Sequence, residues 1–226
     1  MYIGSGYQRG PRIQGTRLNA ALLVSYLFDG VETVLDIGSN EGIISCAIAI
    51  SGPNVTGYEV NSRFVRRARK LAGRLGCRAA FENRSLLLDD LLLGPEYDAT
   101  VFLSVHHQIA AMHGLEHAND FLRTLARKTR YQLFFQPAVI QEKYGKNAPD
   151  LQDNDLAGYL SYFSDVIGDE MPFVATIGLA QNDLPKSEPF RPMVVFSKKP
   201  IRMRASSAAC EIDLKVISAV RAGSIL

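Results

Sequence analysis

The residues that could do chemistry in this chain gather in short stretches, each following an apolar run. Asp36-Ile37-Gly38-Ser39-Asn40-Glu41-Gly42 follows Val34-Leu35, and Gly57-Tyr58-Glu59-Val60-Asn61 comes about twenty residues later. Gly38 leaves room for a ligand against the backbone, and Asn40 is one of the few non-glycine residues that tolerates left-handed geometry. Gly42 lets a following helix approach closely. Glu59 stands at the separation from the glycine turn at which an acid accepts hydrogen bonds from ribose hydroxyls, so a nucleoside-containing cofactor is implied. Gly38 and Gly42 are four apart, Asn40 interrupts them, and Glu41 adds negative charge where a pyrophosphate would sit, which argues against a dinucleotide. A phosphate-binding G-K-[ST] loop is absent from the sequence.

A second constellation is histidine. All four histidines, His106, His107, His113 and His117, fall within one short segment. A neutral imidazole at His106 or His107 could remove a proton from an oxygen or nitrogen nucleophile, or simply shape a pocket. His113 and His117 have the i, i+4 spacing of two metal ligands on one helical face, but Gly114 lies between them and no third ligand is evident, so no metal site is assigned. Arg63, Arg66, Arg67, Arg69, Lys70 and Arg74 form a run without an acid, which reads as a solvated amphipathic face or, alternatively, a phosphate-tracking surface.

The elements that must position these residues alternate. Thr16 is a candidate cap for a helix bearing Leu18, Ala21, Leu22 and Leu27, ended by Gly30. Strands are expected over residues 31–37, 55–60, 79–82, 99–104 and 131–135, and helices over 43–50, 63–74, 85–93, 115–127 and 156–167, with Ser62 as a candidate cap and Gly76 as a stop. Two late strands, 173–179 and 193–197, form a hairpin. This order predicts an α/β fold with a mostly parallel, doubly wound sheet ending in an antiparallel edge strand, and with its ligands beyond the carboxyl ends of the strands.

Length and composition bound the rest. The chain has 226 residues, a net charge of +2, 47% hydrophobic and 21% charged residues, so one ordinary globular core is expected, with a single domain over residues 1–200 and an extension over 201–226. The apolar run 43–50 is far short of the ~20 residues that span a bilayer. The start carries Gly4, Gly6, Gly10 and Pro11 where a secretory signal needs an apolar core, which predicts a cytoplasmic protein with no membrane partner. Cys46, Cys77 and Cys210 contain no C-x-x-C pair and read as reduced thiols. Residues 1–15, with Arg9, Arg12, Tyr2 and Tyr7, together with the nearby Arg17, are a candidate lid. The loop from Gln136 to Asp155 is long enough to influence substrate choice.

Residues 34–42 resemble the first motif of the class I S-adenosylmethionine-dependent methyltransferases. Tyr58-Glu59-Val60-Asn61 is similar to their second strand with its ribose-binding acid, and residues 97–107 to their fourth-strand motif. The resemblance covers roughly residues 16–200 and implies a Rossmann-like, mostly parallel seven-stranded sheet with an antiparallel last strand. It implies S-adenosyl-L-methionine as cofactor, with Asp36, Gly38, Ser39, Asn40 and Gly42 around its amino-acid end. Glu59 would bind the ribose, Asn83-Arg84-Ser85 would lie beside the adenine, and Ser104 and Val105 would line the methionine portion. His106 or His107 would stand near the transferable methyl. Asn40 departs from the family's usual glycine, and no Asp immediately follows the third strand. The small net charge and lack of a separate nucleic-acid-binding domain favour methyl transfer to an oxygen or nitrogen of a small molecule or glycan. An RNA methyltransferase and a non-catalytic binding subunit are the alternatives.

Overall fold

In the computed structural model, which describes residues 11–139, 145–153, 155–181 and 190–203, strands and helices alternate along the chain as the apolar spacing predicts. The order is α1 (Pro11–Tyr26), β1 (Thr33–Ile37), α2 (Ile43–Ile50), β2 (Asn54–Tyr58), α3 (Ser62–Leu75), β3 (Ala79–Glu82), α4 (Leu88–Leu93) and β4 (Tyr97–Leu103). There follow α5 (His106–His113), α6 (Leu115–Lys128), β5 (Thr129–Gln136), α7 (Leu156–Ile167), β6 (Phe173–Gln181) and β7 (Phe190–Ser197).

The strands form one seven-stranded sheet in the order β3-β2-β1-β4-β5-β7-β6. β1 to β5 are parallel to one another, and β7 runs antiparallel to both β5 and β6. Alternate residues of the central strands feed two cores. Val34, Val101, Phe134 and Val195 join the core under α1, α2 and α3. Leu35, Phe102, Phe135 and Phe196 join the core under α5, α6 and α7. A strand buried on both faces must be apolar on both, which is why β1 and β4 read as continuous apolar runs.

The structure differs from the sequence reading at particular places. The antiparallel strand is not the edge: Met193, Val194, Val195 and Phe196 are all buried, so β7 lies inside and β6 takes the edge, with Phe173 and Val174 exposed. α1 starts at Pro11 rather than at a Thr16 cap, consistent with the fixed φ of proline suiting a first helical turn. α4 begins only at Leu88, because the Asp90 carboxylate reaches back to the Leu87 amide at 2.8 Å. Residues 106–113 form a helix of their own, separated from α6 by Gly114 at φ 91°. Cys46 is buried and Cys77 half-buried, both unbridged; Cys210, the 201–226 extension beyond Met203, and the first ten residues of the candidate lid lie outside the described residues. Among the described residues no helix is long and apolar enough to cross a membrane.

The opposite end of the sheet from the strand tips is fixed by Asp98 near the start of β4. Its carboxylate accepts from the Glu32 amide at 2.9 Å, the Thr33 amide at 3.0 Å and the Thr33 hydroxyl at 3.2 Å, with Arg130 at 3.3 Å. Burial pushes its pKa up, but these donors hold it below the ordinary carboxylate value. A depressed native pKa contributes stability that is present above the unfolded pKa and lost as pH falls through the native one. Asp98→Ala should therefore cost about 2–3 kcal/mol at pH 7, and the gap to wild type should close in urea titrations on acidification below about pH 4.

Candidate functional site

The sheet register brings the candidate residues to one edge. Ile37, the last residue of β1, pairs with Tyr58 on β2 and with Phe102 on β4, and Leu103 pairs with Gln136 on β5. The segments after β1, β2, β4 and β5 therefore emerge side by side, around the point between β1 and β4 where the strand order reverses and open α/β sheets bind ligands.

The turn from Gly38 to Gly42 has left-handed backbone at three of its five residues, with φ 76° at Gly38, 53° at Asn40 and 78° at Gly42. It is stitched to β2: the Gly38 and Ser39 amides both donate to the Tyr58 carbonyl, at 2.9 and 3.0 Å. The Asn40 amide donates to Glu59 Oε2 at 3.0 Å, and the Asn61 amide donates to Glu59 Oε1 at 2.8 Å. Asn40 Oδ1 accepts from the Glu41 amide at 2.7 Å. Asn61, rather than Ser62, caps α3, accepting from the Arg63 amide at 3.0 Å.

Two expectations for this turn are corrected. A Cβ on Gly38 would lie 2.5 Å from Val105 Cγ2, so the space expected for a ligand there is filled by Val105. Glu41 does not present its charge to a phosphate site: it is 4% exposed and forms an ion pair with Arg67 of α3. The expectation for Gly42 holds, since a Cβ there would meet Ala68 at 2.7 Å and the Phe81 ring at 2.8 Å, which is the close approach of α2 to α3 and β3.

Below the turn, Asp36 is 4% exposed and accepts from the Ser45 hydroxyl. Burial pushes its pKa up to about 7, the Ser45 hydrogen bond opposes this, and the Glu59 charge adds to it. The Ser39 hydroxyl oxygen is buried and has no hydrogen-bond partner among the described residues. Next to half-buried Glu59 in the chain, Val60 is 66% exposed, and Leu87, in the segment after β3, is 58% exposed; sequence reasoning missed both because isolated aliphatics give no signal. Asn83 is a brace, its amide donating to the carbonyls of Glu59 and Val60 at 3.0 Å each. Arg84 lies over the Tyr58 ring at 5.0 Å and pairs with Asp90 at 2.8 Å, while Ser85 is exposed.

At the tip of β4, Ser104 adopts φ 58°, a strained conformation for a non-glycine residue. Its amide donates to the Gln136 carbonyl at 3.2 Å, its hydroxyl to Gln136 Oε1 at 2.7 Å, and its carbonyl accepts from Gln108 at 2.9 Å. His106 or His107 was expected near the transferable methyl at the tip of β4, but His106 is 2% exposed and packs edge-on against Phe135 and Phe163, with ring centroids 5.9 and 5.2 Å away. Its Nε2 lies 3.0 Å from Asn119 Oδ1, and Asn119 donates to the Tyr162 hydroxyl at 2.7 Å. Burial lowers its pKa to about 4 against the opposing Asn119 hydrogen bond. His107 is half-buried in the first turn of α5. His113 and His117 face each other across Gly114 with centroids 5.0 Å apart, and among the described residues no set of three metal-capable side chains gathers.

The site therefore combines a half-exposed carboxylate next to an exposed valine, a buried acid titrating near neutrality, and a strained serine close to a histidine in the chain. Each Glu59 oxygen holds one backbone amide and retains a second lone pair for a ligand hydroxyl.

No protein-family model and no curated protein matches this sequence. Solved structures match its fold. The bifunctional kinase-methyltransferase WbdD matches with a TM-score of 0.63 and 22% identity over 87% of this chain and 43% of WbdD, so this chain spans less than half of that protein. The magnesium protoporphyrin IX methyltransferase ChlM from Synechocystis PCC 6803, solved with bound SAM, matches with a TM-score of 0.61 and 19% identity, covering 88% of this chain and 86% of ChlM. The N-methyltransferase NodS from Bradyrhizobium japonicum WM9 matches with a TM-score of 0.57 and 15% identity, covering 84% of this chain and 96% of NodS.

The buried Glu41–Arg67 pair carries a prediction of its own. Removing one partner leaves an uncompensated charge, so Arg67→Met should cost roughly 3–5 kcal/mol in urea denaturation. Amide exchange by mass spectrometry should quicken over residues 38–42. The double variant Glu41→Gln/Arg67→Met should recover a large part of the loss; equal stability of single and double variants would contradict this role.

Proposed function

We propose that this chain, which has the class I S-adenosylmethionine-dependent methyltransferase fold, is a methyltransferase that takes S-adenosyl-L-methionine as cofactor. In this reading it methylates an oxygen or nitrogen of a small-molecule or glycan acceptor. The observation that carries the proposal is the clamp of Glu59 on the left-handed turn, which sets a half-exposed carboxylate with spare acceptor capacity next to the exposed Val60. Those features fit an adenosine: Glu59 for the vicinal hydroxyls, Val60 and Leu87 for the faces of the base, with Asn83, Arg84 and Ser85 alongside. Asp36 supplies negative potential for a cationic amino-acid end, and the unpartnered Ser39 hydroxyl supplies a hydrogen-bonding group there. Among the similar structures, ChlM is named for a small-molecule acceptor, magnesium protoporphyrin IX.

When bound, the cofactor supplies an electrophilic methyl group on a sulfonium. The protein's contribution is then mainly orientation of the acceptor for in-line attack. Ser104 and Val105, the latter packed against Gly38, would flank the methionine portion, and the strained Ser104 backbone is held by Gln136 and Gln108. His107 takes up the proton that an attacking hydroxyl loses. His106, neutral at physiological pH, positions α5 through its buried bond to Asn119. The catalytic domain comprises residues 1–200, with 201–226 appended.

Calorimetry with S-adenosylmethionine tests the cofactor. No heat at millimolar cofactor would overturn the reading. Because the free Asp36 pKa is raised to about 7, a bound cation should lower it and displace a proton. Affinity should thus rise between pH 6 and pH 8, by up to about tenfold per proton per pH unit. Asp36→Asn should flatten that dependence, and Glu59→Ala should abolish detectable binding. A radiolabelled methyl screen against metabolite and glycan pools then identifies the acceptor.

A further inference from the structure

Helix α3 carries a charge pattern that the cofactor reading leaves unused. Between residues 63 and 84 the chain has eight basic residues and one acid, Glu82, a local net charge of 8 − 1 = +7 in a protein whose total is +2. The structure divides these cations into two groups. Arg67 pairs with Glu41, Arg69 donates to the Phe81 carbonyl, Arg78 donates to the Gly52 carbonyl and Arg84 pairs with Asp90. The side chains of Arg63, Arg66, Lys70 and Arg74 are exposed and make no ion pair or hydrogen bond among the described residues.

The four unpaired cations share one face. At about 100° per residue their 3-4-4 spacing places them within an arc of roughly 80°, over about 16 Å of helix. Val65, Ala68, Leu71 and Ala72 are buried on the opposite side. An ordinary solvated face alternates signs, so that residues three and four apart attract; here every such neighbour repels. The first turn contains no acid, so Arg63 and Arg66 also sit against the positive end of the helix dipole. These repulsions disfavour the isolated helix, and a bound polyanion would relieve all of them together.

We propose that this face of α3 is a docking surface for the phosphodiester backbone of a single-stranded nucleic acid. The stripe is one line of cations on a convex helix, which a flexible strand can follow. It offers no exposed large apolar side chain to enter a lipid surface, and the half-buried Phe64 is the only aromatic residue in α3, so contacts are to phosphates rather than bases. The surface stands independently of the cofactor reading, because none of its four cations touches the turn or Glu59.

The test is fluorescence anisotropy of the full chain with a labelled twelve-nucleotide oligouridine RNA between 50 and 200 mM KCl. Four phosphate contacts on a single strand give a log–log salt slope of about −2.8, so Kd should rise about 50-fold across that range. Each of Arg66→Gln, Lys70→Gln and Arg74→Gln should flatten the slope by roughly 0.7. The quadruple variant that includes Arg63→Gln should lose binding at 50 mM KCl while keeping the wild-type circular dichroism and a melting temperature no lower than that of the wild type. Three results would overturn the proposal: no binding of the RNA at 50 mM KCl, binding unchanged in the quadruple variant, or stronger and less salt-sensitive binding to phosphatidylserine vesicles or oligoglutamate than to the RNA.

Discussion

The strand tips depend on a turn that the chain cannot hold by backbone preference alone. Asn40 lies in left-handed geometry between two left-handed glycines, and it is kept there by a carboxylate from the next strand. Glu59 grips the turn through one oxygen and the start of α3 through the other. Arg67, one turn into α3, then reaches back to Glu41 in the same turn. The helix after β2 therefore braces the turn after β1 from two directions, and the conformation of the ligand edge is tied to the packing of α3. This closed circuit explains how Asn40 can stand where a glycine would be cheaper. Its side chain accepts from the Glu41 amide, and its own amide is anchored, so local hydrogen bonds offset the strain.

Acids in such a site must be placed without being neutralised. Three carboxylates lie close to the turn, and each meets a different environment. Glu41 is buried and paired with a cation, so its charge is internal to the scaffold. Glu59 is half-buried and held by amides, which fixes its direction while leaving acceptor capacity. Asp36 is buried with only a hydroxyl for company, and this solvation deficit, together with the nearby Glu59 charge, lifts its pKa to about 7. One scaffold thus provides a structural charge, a directed acceptor and a proton-linked charge, separated by burial and partner rather than by residue type.

Apart from the helix over residues 106–113, the strand and helix order was legible in the sequence because it rests on local apolar spacing, and so was the identity of the turn, because glycine and asparagine mark left-handed backbone. What was not legible came from side chains meeting across the fold. Nothing in the sequence distinguishes Glu41 from Glu59 as scaffold and ligand acid, since the difference is that α3 carries Arg67 over one and not the other. His106 and His107 are adjacent in sequence, yet the helical turn at the end of β4 sends the first among Phe135 and Phe163 and leaves the second half-buried. The position of β7 inside the sheet was concealed for a different reason. A hairpin fixes that two strands pair but not which of them pairs with the rest of the sheet, and only the burial of both β7 faces decides it.

The basic run on α3 shows why composition could not separate structure from recognition. As a sequence, Arg66, Arg67 and Lys70 form one group, and neutralising all three together is the natural way to ask whether the helix binds an anion. In the fold, Arg67 points to a buried carboxylate while the side chains of Arg66 and Lys70 have no partner among the described residues. Losing all three charges would loosen the turn and strip the surface at once, so lost activity could not be assigned to either. The helix uses its inward-facing cation to hold the turn and keeps its outward cations unneutralised, two roles that 3.6-residue periodicity allows within a single turn. A net charge of +2 conceals this arrangement, because residues 63–84 carry +7 and the rest of the chain therefore carries 2 − 7 = −5.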